Sequence, residues 1–205
     1  DLIDQGFVSE AVVNFVALLG WSPENNQEIF SLDELVKEFN YKNISKSPAV
    51  FDMVKLKWMN GQYIKEMGAD AWVQASRPWL VQAGATEADI DARPEWYAKL
   101  YPLVAERLAR LDEVTDKLAY MFWGSRVELD EKSVTKILAK DGARADEVLR
   151  AARGILADES IPWECEPLQE RVRDLTEELD MKAKGIFQPV RVAVCGNMVS
   201  PPLGE

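Results

Sequence analysis

Apolar residues recur at helical spacing through most of this 205-residue chain, and few segments alternate as strands do. Phe7, Ala11, Phe15, Leu18 and Leu19 form one such stripe, with Gly20 as a natural stop. Ser31-Leu32-Asp33-Glu34 is a capping box: the serine oxygen can take an orphan N–H, and Glu34 can reach back. Leu32, Leu35, Val36 and Phe39 follow as its apolar stripe. Asp52 is placed to cap a helix running through Met67. Further helices are expected at about 69–83, 94–109, 112–122, 130–140, 144–157 and 167–180, with Pro78 interrupting or restarting the first. Residues 189–196 leave a choice. Alternation and β-branching in Val190, Val192 and Val194 lean towards a strand, but a lone strand has no partner, and a short helix from Pro189 to Gly196 also fits. The fold class is all-α.

Residue types exclude several chemistries. There is no histidine, so no Ser-His-Asp triad, Cys-His dyad or histidine metal site can form. Cys165 and Cys195 are too few for a cysteine zinc site or a disulfide framework, and two isolated thiols suit a reducing, cytoplasmic setting. No metal site is expected in this chain. No run approaches the length of a membrane span, and the first ten residues lack a signal-peptide pattern. No Gly-rich phosphate loop is present. The carboxylate pairs Glu164/Glu166 and Asp158/Glu159 lie in a heavily acidic stretch. Solvated carboxyls of that kind do not supply the raised pKa an acid catalyst needs.

The formal net charge is −11, which taken alone argues against a general nucleic-acid binder, DNA included. The distribution is uneven, and local patches decide recognition. Lys42, Lys46, Lys55, Lys57 and Lys65 stand in 41–67 against only Asp52 and Glu66, and a smaller basic excess lies in 181–205. Residues 158–180 are strongly acidic. Most of the seven tryptophans fall where helical stripes want core residues, while Trp58 or Tyr63, beside the larger basic island, could contact RNA.

Four strings give the chain a family resemblance. Residues 6–22 (Gly-Phe-Val-Ser-Glu-Ala-Val-Val-Asn-Phe-Val-Ala-Leu-Leu-Gly-Trp-Ser), 28–35, 45–64 and 188–203 resemble, in order, successive blocks of bacterial glutamyl-tRNA synthetases. The resemblance implies a piece lying downstream of the catalytic machinery. The HIGH-like and KMSKS-like motifs of the class I active site are absent, so the piece is expected to be inactive alone, with no catalytic residues and no cofactor of its own. ATP and Mg²⁺ would serve the catalytic domain of the parent enzyme. It also implies a helical stem-contact region over 1–68, followed by a helical anticodon-binding domain, a helix bundle or cage, over 69–205 and shortened at its C-terminus. The partner implied is tRNA(Glu), with no membrane. By position in the motifs, Arg191, Ser200, Pro201 and Leu203 would bind the first two anticodon bases. Arg107 would read the third, with Arg110 as the competing position. The five lysines of the basic island would contact the tRNA backbone. Cys195 stands where the family usually has threonine, and Gly204 where it has an aromatic residue. A parent that also charges tRNA(Gln), and a helical protein-interaction module without RNA binding, are the alternatives.

Overall fold

The structure is a computed structural model that describes residues 1–45, 48–124 and 126–200. Lys46, Pro201 and Leu203, three of the positions singled out above, lie outside the described residues. Helices account for nearly all regular structure. The sole β feature among the described residues is an isolated antiparallel bridge between Trp21 and Ile44. The chain divides into two compact units, Asp1–Asp116 and Lys117–Glu205.

The first unit contains α1 (Ser9–Gly20), α2 (Leu32–Glu38), α3 (Met53–Glu66), α4 (Ala69–Ala83), α5 (Glu87–Ala92), α6 (Pro94–Ala98) and α7 (Tyr101–Val104), and the division between the units falls within α8 (Glu113–Leu118). The local signals act as their chemistry requires. Ser31 Oγ accepts from the Glu34 N–H at 3.2 Å while Glu34 Oε2 accepts from the Ser31 N–H at 2.8 Å, completing the capping box. These bonds hold the Glu34 carboxyl below the usual carboxylate range. Asp52 Oδ1 accepts from the N–H groups of Val54 and Lys55 and opens α3.

Long-range order in this unit centres on a buried asparagine. Asn60 Oδ1 accepts from the Val8 N–H at 2.8 Å, and Nδ2 donates to the carbonyls of Ala109 at 2.7 Å and Gly6 at 3.3 Å. The side chain is fully buried, so each of these bonds replaces one that water would otherwise make. Gly6 adopts φ 81°, and a Cβ there would meet the Asp112 backbone nitrogen at 2.4 Å. Glycine is therefore required both by the left-handed backbone and by the close approach. Phe7, Phe15, Leu56 and Met59 fill the core beneath.

The second unit packs α10 (Gly142–Leu156), α11 (Cys165–Glu178) and α12 (Ala183–Cys195) around Val148, Ala152, Ile155, Val172, Leu175, Ile186 and Val190. The short helix α9 (Glu131–Ser133) continues as a π-helical turn, Val134–Leu138, which packs on α12.

Three expectations are corrected. Pro78 lies inside an unbroken α4, where packing of Trp72, Val73, Ser76 and Leu80 outweighs the missing hydrogen bond. The single helix expected over 94–109 is α6, α7 and the 3₁₀ turn Ala105–Arg107, preceded by the unexpected α5. Residues 189–195 are helical and not a strand, and the helix ends at Gly196 as expected, but α12 begins six residues before Pro189. Ile186, Pro189, Val190, Val192 and Cys195 are buried along it, and burial on several sides yields apolar spacing that suits a strand pattern as well as a helix.

Candidate nucleic-acid interface

The basic island centres on α3 and the turn before it. Lys42 and Lys57 are exposed, and their ammonium groups make no hydrogen bond or ion pair among the described residues. Lys55 and Lys65 differ. Lys55 Nζ lies 2.5 Å from Glu28 Oε1, and Lys65 Nζ lies 2.6 Å from Glu106 Oε2. A phosphate reaching either lysine would have to displace a carboxylate already in place. Of the two aromatic side chains beside the island, Trp58 remains 46% exposed on α3. The Tyr63 hydroxyl is instead shared between Asn14 Oδ1 at 2.7 Å and the Phe30 carbonyl at 2.5 Å. Burial pushes the Tyr63 pKa up to about 12, and the residue serves the fold.

Arg107 closes the 3₁₀ turn Ala105–Arg107, which packs on α3. Its side chain is exposed and without a hydrogen-bond or ion-pair partner among the described residues. Arg110 is engaged internally: its guanidinium donates to Asp112 Oδ2 at 2.8 Å and lies 6.0 Å from the centroid of the Phe7 ring. The same unit thus holds one arginine presented outward and one bound into the fold.

Arg191 and Ser200 belong to the second unit, and the structure brings them together around Cys195. Arg191 sits one turn before Cys195 on α12, and the Ser200 hydroxyl and the Arg191 charge both act on the Cys195 thiol. Burial pushes the Cys195 thiol up, against the opposing pull of the Ser200 hydrogen bond and the Arg191 charge. Burial also raises nearby Tyr120 to about 12. Gly196 ends α12 at φ 76°, and the chain then turns back. Within the turn, Asn197 Oδ1 accepts from the Val199 N–H at 2.8 Å. The turn is also tied to the segment before α9: the Asp130 N–H donates to the Gly196 carbonyl at 2.8 Å, and the Met198 N–H donates to Ser133 Oγ at 3.1 Å. Sequence reading misses Asp130 and Ser133 as parts of this region. Their capping spacing is readable, but Ser133 and Met198 lie 65 residues apart.

The carboxylate-rich stretch behaves as surface. Hydrogen bonds from Ser160 hold the Asp158 carboxyl below its ordinary range, the reverse of what an acid catalyst needs. No group of three or more metal-ligating side chains clusters among the described residues, and no described helix is long and apolar enough to cross a membrane.

An all-helical chain with an outward arginine, a lysine-bearing helix face and an arginine–serine turn has the parts of an RNA-reading module. Comparison with known proteins fixes its class. Residues 71–205 match the family described as the anticodon binding domain, and residues 1–58 match the family of class I tRNA synthetases (E and Q), catalytic domain. The chain belongs to the anticodon-binding family of class I tRNA synthetases. The relatives it matches along its length are glutamate–tRNA ligases. That of Symbiobacterium thermophilum is 34% identical over all of this chain and 42% of its own length. That of Clostridium kluyveri is 38% identical over 98% of this chain and 39% of its own. Among solved structures, the glutamate–tRNA ligase of Elizabethkingia meningosepticum in complex with its amino acid superposes with a TM-score of 0.78 at 26% identity. It covers 98% of this chain, which in turn covers 38% of it. The chain thus spans about two fifths of the length of the relatives it matches.

Proposed function

We propose that the chain is the tRNA-binding portion of a glutamate–tRNA ligase and recognises the anticodon of tRNA(Glu), so that the whole enzyme attaches glutamate to the right tRNA using ATP. The observation that carries this reading is the match of residues 71–205 to the anticodon-binding family, with Arg191 on α12 and Ser200 just after it inside that span. An arginine offers several N–H donors to base-edge acceptors, and unstacked anticodon bases expose those edges. Ser200 leads into Pro201 and Leu203, which the family resemblance assigns to the same two bases.

Arg107 is the reader of the third base in this proposal. Its exposure, and the engagement of Arg110 with Asp112 and Phe7, support that choice between the two arginines. Residues 1–68 act as the stem-contact region, with Lys42, Lys46, Lys55, Lys57 and Lys65 along the tRNA backbone. Residues 69–205 act as the anticodon-binding domain. Phosphate contacts position the RNA and base contacts specify it. The setting is cytoplasmic, where aminoacylation of tRNA takes place. ATP and Mg²⁺ act in the catalytic portion of the parent enzyme.

The test is binding of purified tRNA(Glu) to the 205-residue chain, against the same tRNA with its middle anticodon base changed. Tighter binding of the cognate tRNA is expected. Equal binding of both would overturn anticodon recognition. No binding of either would favour a protein-interaction module. Equal binding of tRNA(Glu) and tRNA(Gln), with the altered tRNA rejected, would mark a parent that charges both.

A further inference from the structure

We infer that Asp130 and Ser133 are positioning residues, which hold the turn after α12 in the geometry that reads an anticodon base; this inference rests on the anticodon reading proposed above. Asp130 caps α9 through the Ser133 N–H, at 2.8 Å, and that bond alone would start the helix. The Ser133 hydroxyl does something further. It donates to Asp130 Oδ2 at 2.6 Å, which commits its single proton to the carboxylate. A lone pair is thereby left for the Met198 N–H at 3.1 Å. Ser133 is 1% exposed, so its hydroxyl is not readily solvated and depends on these two bonds.

The same segment grips the turn at a second point. The Asp130 N–H donates to the Gly196 carbonyl, and a Cβ on Gly196 would lie 2.1 Å from the Glu128 carbonyl oxygen. Backbone 128–133 and backbone 196–198 are therefore in direct register. Asn197 closes the turn from within, accepting from the Val199 N–H. Between these anchors, Ser133 holds the middle. Freeing the Met198 amide would let Ser200 move relative to Arg191, the other base-reading group.

The experiment compares the parent chain, Ser133→Ala, Ser133→Thr and Thr135→Ala. Each is titrated with a tRNA(Glu) transcript and with one changed at the middle anticodon base, at several salt concentrations. Thr135 is the control: it is exposed, and its hydroxyl donates to the Glu131 carbonyl at 2.9 Å rather than to the turn. Ser133→Ala is expected to narrow the preference for the cognate transcript about tenfold while keeping the parental salt slope. Ser133→Thr keeps the hydroxyl and should restore the preference, and Thr135→Ala should match the parent. A merely structural role would weaken both transcripts alike, and that result, or an unchanged preference in Ser133→Ala, overturns the inference. A parent chain that does not distinguish the transcripts overturns the anticodon reading and this inference with it. A parent that distinguishes them while Ser133→Ala does so equally well overturns this inference alone.

Discussion

Lys55 on α3 and Glu28 in the loop before α2 form an ion pair, with Nζ and Oε1 2.5 Å apart, whereas Lys57, two residues on, has no ion-pair partner among the described residues. The two lysines differ in what they can give to an RNA phosphate. Both members of the pair are more than a third exposed, so solvent screens the pair and it adds little to stability. It does alter the count of free cations. Lys57→Ala is expected to lower the slope of log affinity against log salt by about 0.7–0.9, the effect of one lost phosphate contact. Lys55→Ala should lower it less. Glu28→Gln should release Lys55 and strengthen binding of all tRNAs alike, most at low salt. A salt titration of the three variants reads this out, and slopes equal to the parent's in all three would leave the island as solvated charge.

Arg107 and Arg110 make a second contrast. Arg107→Gln is expected to narrow the difference in binding between tRNA(Glu) and tRNA(Gln), whose anticodons differ at the third base, with a modest loss for tRNA(Glu). Arg110→Gln removes the bond to Asp112 and the stacking on Phe7. It should lower the thermal midpoint of the chain and leave the ratio of the two tRNAs unchanged. Thermal melts and paired titrations of both variants check this. A changed ratio in Arg110→Gln, with none in Arg107→Gln, would reverse the assignment.

The tyrosines set the alkaline limit. Tyr63, Tyr97 and Tyr120 are each raised from an ordinary value near 10 to about 12, chiefly by burial, with the Asp89 hydrogen bond adding to the effect at Tyr97. Their folded-state pKa values lie above the unfolded ones. The neutral phenols therefore favour the fold fully below about pH 10, and that contribution is lost as pH rises from about 10 to 12. Phenolate absorbance followed with helical circular dichroism should show these hydroxyls ionising together with unfolding. Their ionisation at the ordinary tyrosine pH, with the helices intact, would contradict the assigned burial.

Local signals make much of the fold legible in the sequence. The capping box at Ser31 and Glu34 and the cap at Asp52 carry their own chemistry in a few adjacent residues, and both helices start where those residues require. What escapes depends on distance along the chain. Asn60 reads as one polar residue in a helical stripe, yet it joins α3 to residues 6–8 and 109. Pro78 reads as a breaker, because the packing that keeps α4 intact is tertiary. Val190 and Val192 read as alternation because α12 is buried on several sides, whereas Val194, which completes the pattern, is 42% exposed. For the candidate site, Arg191 and Ser200 are readable from a motif, but the tie from Met198 to Ser133, 65 residues away, is not.

Nucleotide-resolution chemical protection of tRNA(Glu) bound to the 205-residue chain reads the contact at the anticodon itself. Protection of the anticodon bases is expected. Arg191→Ala should remove it from the first two bases, at a cost of about 1–3 kcal/mol in binding the cognate tRNA. Protection confined to the stem and backbone, identical in the parent and in Arg191→Ala, would contradict anticodon reading by this chain.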